Sequence, residues 1–457
     1  MADFTTQSVL FPELFDRPLI ARFDRPHASS DGGAILLKAA DRRLGLVAAL
    51  AGCLRDRRDP AKVQHGLEDL FAQRVYGLAC GYEDANDAAR LADDPIHKLL
   101  LGRDAITGDA LASQPTLSRF ENGVRRGELL RMSEALFETV LRRQTKRLRG
   151  KVRTITIDLD VTDDPTHGQQ ELTFFHGHYG HWCYLPLLAY LTFNGEPDQH
   201  LVAAMLRPGN APTSRGALTM LQRIVGELQE RFPRARLLIR LDGGFAGPAL
   251  LEFLDEVQVD YAVGLPSNPV LVRSAEALLT SVRWTSEQSG ATEHVYGECR
   301  YAAKRWDRER RVIIKAEVVQ HPGREPRDNP RFVVTNLKRA PRRLYEGVYC
   351  MRGEIENRIK ELHQGLSFDR TSCTRFLANQ LRVLLTAAAC VLMQEIRTAA
   401  RRTSLARAQV STLRERLFKL GAEVVVSVRR IVLHLPATFA FRDEWRAVAA
   451  ALGARPG

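Results

Sequence analysis

The sequence predicts an α/β core on a mixed sheet, preceded by an α-helical region, interrupted by a β-rich insertion and followed by a helical C-terminal region. Three observations carry this. From Gly33 to about Arg149, apolar residues recur at three- and four-residue spacing, as in "AILLKAADRRLGLVAALAGCL" and "LLRMSEALFETVLRRQTKRLRG", the period of amphipathic helices. At Val152 the texture turns to β-like runs, "VRTITIDLDVT", "CYLPLLAYLTF" and "RARLLIRLD". The helical "SRGALTMLQRIVGELQERF" precedes the last, and alternating strand and helix points to an α/β sheet. Between Pro266 and Leu337 lie "VYGECRYAAKRW", "RVIIKAEVVQ" and "RFVVTNL", separated by polar and Pro-rich turns. After Pro341 helices return, ending in the basic "QEIRTAARRTSLARAQVSTLRERLFKLG".

With 457 residues, 45% of them hydrophobic, the chain has room for two or three domains with ordinary cores. Its 66 Lys and Arg exceed its 54 Asp and Glu, a net charge of +12, which favours a polyanionic partner such as nucleic acid or an anionic membrane surface. No uninterrupted apolar run reaches bilayer length, and "MADFTTQSVLFPELF" lacks a basic segment followed by an apolar one, so a soluble cytoplasmic protein is expected. The seven cysteines are scattered and never form a C-x-x-C pair, which argues against a disulfide framework and a cysteine zinc site.

"TITIDLDVTDD", residues 154–164, gathers four aspartates in this basic chain. In a strand, Asp158 and Asp160 share one face with Thr154 and Thr156, while Ile155, Ile157 and Leu159 share the other. Carboxylates at a strand end are explained if a cation sits among them, or, alternatively, if they are solvated or cap a helix. A second strand, "RLLIRLDGGF", ends in Asp242 followed by two glycines, which would let a ligand approach the backbone. The third piece is "YCMRGEIENRIKELHQGL". At about 100° per residue, Tyr349, Arg352, Glu356, Lys360 and His363 form one polar row, and Val348, Ile355, Ile359, Leu362 and Leu366 an adjoining aliphatic stripe. An ordinary surface helix with a Glu356–Lys360 pair is the alternative.

Together, Asp160, Asp242, the β-rich stretch and the helix reading Tyr349-Cys-Met-Arg352-Gly-Glu-Ile-Glu356 resemble the DDE transposases of bacterial insertion sequences. "RGEIENRIKEL", "DRTSC" and "LDVTDDPTHGQQE" look like one group within them, and the resemblance runs from about Asp31 to Leu435. It implies an RNase H-like core in which Asp160, Asp242 and Glu356 are the catalytic carboxylates and hold two Mg²⁺ ions, replaceable by Mn²⁺, for phosphoryl transfer on DNA. Asp160 is preferred over Asp158 because the family's strand-end aspartate is commonly followed two residues later by Thr, here Thr162. Asp163 and Asp164 are assigned to the turn before Pro165. Seven residues after the glutamate the family usually has a lysine; here stands His363, with Lys360 nearer.

The implied layout is a helical DNA-binding region over 1–150, core over 151–265 and 338–395, insertion over 266–337 and basic helical region over 396–457. Double-stranded DNA, both element ends and target, would be met by Tyr349, Arg352, Lys360, Ser118 and Arg119, with two protomers in the synaptic complex. Ser113 would cap the helix of "SQPTLSRFEN", and "FFHGHYGHWCY" reads as a hairpin-like turn with aromatic packing rather than a zinc set. Trp284 and Trp306 read as packed in the core, and the basic helix near 396–418 as a phosphate contact. A cut-and-paste transposase is the expected function; a decayed DNA-binding protein and a structure-specific nuclease are the alternatives.

Overall fold

The computed structural model describes residues 8–10, 13–14 and 16–455; the remainder of the N-terminal stretch read above for a leader, and residues 456–457, lie outside them. The helical pattern of the first third folds into helices that include α1 (Leu67–Cys80), α2 (Gln114–Asn122) and α3 (Arg126–Leu148). Every residue from Leu70 to Cys80 is buried, so α1 is surrounded by protein on all sides.

The sheet starts at β1 (Thr154–Val161), whose β-branched residues suit a pleated surface. It pairs antiparallel with β2 (Leu187–Phe193), which returns as β3 (Gln199–Met205). On its other side β1 runs parallel to β4 (Arg236–Leu241), and β4 to β5 (Asp260–Leu265). Parallel neighbours need crossovers. Helix α4 (Ala217–Arg231) lies before β4, and α5 (Pro248–Glu256) between β4 and β5.

Residues 266–337 differ from an all-β insertion, because they open with α6 (Pro269–Ser289). Asn268 starts it by accepting from the Val270 and Leu271 amides, Pro269 takes the first turn, and Gly290 at φ +64° ends it. The strands that follow, β6 (Glu293–Tyr301), β7 (Arg310–Val319) and β8 (Arg331–Thr335), extend the same sheet, because β8 pairs antiparallel with β5. The order is β6-β7-β8-β5-β4-β1-β2-β3, with a two-residue ninth strand beside β7.

Alternation gives the sheet two unlike faces. Ile155, Ile157, Leu159, Leu237, Ile239 and Leu241 enter the main core together with the apolar stripes of α4, α5 and α6. The opposite face carries Asp158, Asp160 and Arg240, and beside them Leu238, Ala262, Ile313 and Val333, which pack under Leu344, Tyr345 and Val348.

After Pro341 come α7 (Glu354–Leu366) and α8 (Phe376–Ala399). Phe376–Arg402, although interrupted by Arg382, Glu395 and Arg397, is long and apolar enough to cross a bilayer by length and composition; 78% of its most apolar window is buried within the protein. The basic C-terminal region is not one helix. Beyond α8 it breaks into short turns, then an antiparallel hairpin (Ala422–Ser427 with Arg430–His434) that pairs back with Ala28–Ser29, and a final helix, Arg442–Ala451.

Candidate active site

Asp158 and Arg240 are register partners on the parallel strands β1 and β4. Two residues further on stand Asp160, in β1, and Asp242, just past the end of β4, so the parallel pairing brings both carboxylates to the C-terminal ends of these two central strands. Asp160 is 9% exposed; its Oδ2 accepts from Arg352 Nη1 at 2.9 Å and its Oδ1 from the Val161 amide at 2.9 Å. Burial pushes its carboxyl up to about 6; Arg352 pulls the other way and the neighbouring Asp242 adds to the rise. Asp242 is half-exposed, and its Oδ1 accepts from the Gly244 amide at 2.9 Å, capping the turn Gly243–Phe245. Gly244 is exposed, and a Cβ at Gly243 would meet Pro266 Cδ at 3.4 Å, an ordinary contact. A Cβ at Gly244 would meet Thr213 Cγ2 at 2.7 Å, so that space is already filled by protein.

Asp158 is a different residue from its neighbour on the same face. It is fully buried, and Arg240 donates to both its oxygens, Nε to Oδ1 at 2.8 Å and Nη2 to Oδ2 at 2.6 Å; Gln199 Nε2 adds a bond at 3.1 Å. The third and fourth aspartates also depart from the reading. Asp164 does not shape a turn: it lies in a two-residue strand opposite Tyr184, is fully buried, and accepts from the Thr371 hydroxyl at 2.9 Å. Asp163 lies 2.9 Å from His181.

The glutamate helix is not one regular helix, which changes the polar row drawn for it. The segment is α-helical over Pro341–Leu344, widens to π-helix over Tyr345–Tyr349, tightens to 3₁₀ over Cys350–Gly353 and resumes as α7. Such breaks re-aim side chains and are common at functional sites. The 100° arc therefore applies only from Glu354 on, where Ile355, Ile359, Leu362 and Leu366 are buried, Glu356 and Lys360 exposed, and His363 half-buried. His363 Nε2 lies 3.0 Å from Thr162 Oγ1, joining α7 to the end of β1. Upstream, the irregular turns aim Tyr349 and Arg352 at these strand ends. A Cβ at Gly264 would lie 2.6 Å from the Tyr349 hydroxyl and 3.2 Å from the Asp242 carbonyl carbon, so the phenol and the Asp242 backbone both lie close to Gly264.

Of the three carboxylates, Arg352 bonds Asp160 directly. Burial opposes its charge, yet Asp160, with Tyr349, Asp242 and Glu356, outweighs that and holds its pKa above the ordinary arginine value. Tyr179 belongs to the segment "FFHGHYGHWCY", whose His and Tyr residues the sequence places next to the first aspartate as possible DNA contacts. It stands between the strands Phe174–His176 and His181–Tyr184 of the expected hairpin, 5.0 Å from the His176 ring. Burial, then Asp163, Asp160 and Asp242, raise its hydroxyl pKa, which brings the hairpin's turn into the field of the same carboxylates.

The remaining candidates lie elsewhere. Ser118 and Arg119 are on α2, and Ser113 precedes it without bonding a backbone amide; its hydroxyl lies 3.3 Å from that of Thr116. Arg119 lines a cleft of about 470 Å³ together with Arg55, Arg57, Arg58 and Lys62, over a floor that includes Leu67, Leu70 and Phe120. Trp284 is not core: it is 65% exposed, whereas Trp306 packs against Tyr301 and under Arg310. Several arginines of the basic C-terminal stretch are committed to protein. Arg397 pairs with Glu361, Arg401 with Asp198 and Glu196, and Arg414 donates to the carbonyls of Ala79 and Gly365.

Asp160, Asp242 and Glu356 offer hard oxygen donors of the kind that suit Mg²⁺ or Mn²⁺. Among the described residues their oxygens are not drawn within 4.8 Å of one another; the group so drawn is Asp31, Cys80 and His97. That second group is already satisfied, since Asp31 binds His97 Nε2 and Lys419 Nζ, both at 2.8 Å, while burial raises the Cys80 thiol.

Residues 11–456 match the family described as transposase DDE domain, group 1. Among solved structures, the chain is similar to the piggyBac transposase in a synaptic complex with hairpin DNA, at 11% identity and a TM-score of 0.40, over 84% of this chain and 79% of that one. No curated protein matches the sequence.

Proposed function

The chain belongs to the transposase DDE domain family, group 1, and from that premise we propose that it is a cut-and-paste DNA transposase of a bacterial insertion sequence. It binds the terminal inverted repeats, cleaves them by two-metal phosphoryl transfer and joins the freed 3′-OH ends to target DNA. The observation that carries this reading is the parallel register of β1 and β4, which sets Asp160 and Asp242 side by side at the strand ends, with Arg352 bonded to Asp160 at 2.9 Å. Two aspartates at the ends of β1 and β4, and a glutamate on a helix over the same sheet face, also support an RNase H-like core.

In this reading Asp160, Asp242 and Glu356 hold the ions. Bound Mg²⁺ or Mn²⁺ would activate the attacking hydroxyl and neutralise charge on the phosphate and the leaving oxygen. Asp160 must give up its proton to ligate, and Arg352 at 2.9 Å favours its charged form. Tyr349 and Arg352 line the DNA side of the carboxylates, and exposed Lys360 reaches a phosphate along α7. Ser118 and Arg119, beside the arginine-lined cleft, meet element-end phosphates. Two protomers pair two ends, in a bacterial cytoplasm.

Incubating the protein with end-bearing DNA, a target plasmid and Mg²⁺ tests the reading. Joined products are expected. Cuts without joining would make it a nuclease, and binding without cuts a decayed DNA-binding protein.

A further inference from the structure

Behind the carboxylates runs a buried polar chain that ligates nothing and caps no helix. Gln199 on β3 donates to Asp158 on β1, and Asp158 receives two bonds from Arg240 on β4. Gln199 and Asp158 are 4% and 0% exposed and Arg240 is 8% exposed, so the chain is out of water over its whole length. A buried ion pair is weak evidence for stability, because desolvation offsets most of the attraction. What separates this pair from a core ornament is its far end: Arg240 Nη1 donates to the Val348 carbonyl at 3.2 Å.

Val348 lies in the π-helical turn, next to the change to 3₁₀ pitch. Where pitch changes, the regular ladder of amide-to-carbonyl bonds lapses, and carbonyls there need a donor from elsewhere. The residues that follow are Tyr349, whose hydroxyl lies against Gly264 of β5, and, three further on, Arg352, bonded to Asp160. A planar guanidinium can hold a carboxylate with one edge and a carbonyl with another nitrogen, which an ammonium cannot do with the same geometry.

We infer that Asp158 and Arg240 are positioning residues for the active site, locking the irregular helix turn that aims Tyr349 and Arg352 at the strand ends carrying Asp160 and Asp242. The inference rests on the transposase reading for its consequence in DNA cleavage, while the lock itself is a property of the free protein.

The test uses the full chain, with amide hydrogen exchange over residues 345–353 and Mn²⁺-dependent nicking of a supercoiled plasmid carrying the repeats that flank the gene. Arg240→Lys keeps a cation for Asp158 but not the reach to Val348. Exchange in that segment should rise at least about tenfold, and the nicking rate should fall at least about tenfold while plasmid binding stays. The double variant Asp158→Leu/Arg240→Met removes both charges at once and so avoids a lone buried ion; it should keep its melting temperature and show the same two losses. Wild-type exchange in Arg240→Lys, or a folded double variant nicking at the wild-type rate, would overturn the inference. If the wild type itself does not nick, the transposase reading fails, and raised exchange in Arg240→Lys still upholds the lock.

Discussion

Four aspartates within residues 154–164 have four different fates, and neighbours decide each. Asp158 is neutralised by Arg240, Asp160 is shared between Arg352 and Asp242, Asp163 meets His181, and Asp164 is buried against Thr371. Strand periodicity alone puts Asp158 and Asp160 on one face, and the partner that separates them, Arg240, is 82 residues from Asp158 in the chain. Asp164 gives a prediction at this scale. Burial, with smaller help from Asp369 and Asp163 and against the Thr371 hydroxyl, pushes its carboxyl from 3.8 up to about 8. Between those values the folded protein holds a proton that the unfolded chain has released, so this group lowers stability as pH rises from 3.8 to about 8. Asp164→Asn keeps an acceptor for Thr371 and removes that share of the slope. Melting temperature followed from pH 4 to pH 8 should therefore fall less in the variant than in the wild type; equal slopes would contradict the assignment.

At the scale of elements, the helix carrying Glu356 shows how far periodicity reaches. Its aliphatic stripe was legible because Ile355, Ile359, Leu362 and Leu366 lie in the regular part, where 3.6 residues per turn holds. The π and 3₁₀ turns before it were not legible, because they depend on Arg240 and on the packing of Tyr345 and Val348 over the sheet. Helix α6 was missed for a different reason: Asn268, Pro269 and Gly290 spell out its two ends, but β-like runs downstream coloured the whole segment. The close fit of Tyr349 against β5 predicts that Gly264→Ala, whose Cβ would lie 2.6 Å from the hydroxyl, costs about 1–3 kcal/mol of stability. Urea denaturation reads that loss, and unchanged stability would show that the turn can shift without cost.

For the whole molecule, a net charge of +12 suggested a freely basic surface, yet many arginines are spent inside. Glu121 on α2, 1% exposed, accepts from Arg74 of α1 at 2.8 Å and Arg382 of α8 at 2.9 Å, tying the helical first third to the core helix. Burial disfavours its charge, but the two guanidinium groups outweigh that and hold its pKa below the ordinary glutamate value. Glu121→Ala leaves both arginines buried without their carboxylate and should cost about 3–5 kcal/mol, read as a lowered urea midpoint; a midpoint equal to wild type would mean that water or a neighbour replaces the carboxylate. Contacts of this span were invisible in the sequence, whereas the strand-end aspartates and the glutamate helix were legible because each is a local pattern. The claim that joins them is that Asp160, Asp242 and Glu356 form one metal-dependent DNA-cleaving site. The most direct measurement is Mg²⁺-dependent nicking of repeat-bearing DNA by the wild type and by Asp242→Ala, with binding followed in the same reactions. The wild type should bind and nick, and the variant should bind without nicking; nicking by Asp242→Ala at the wild-type rate would contradict the claim.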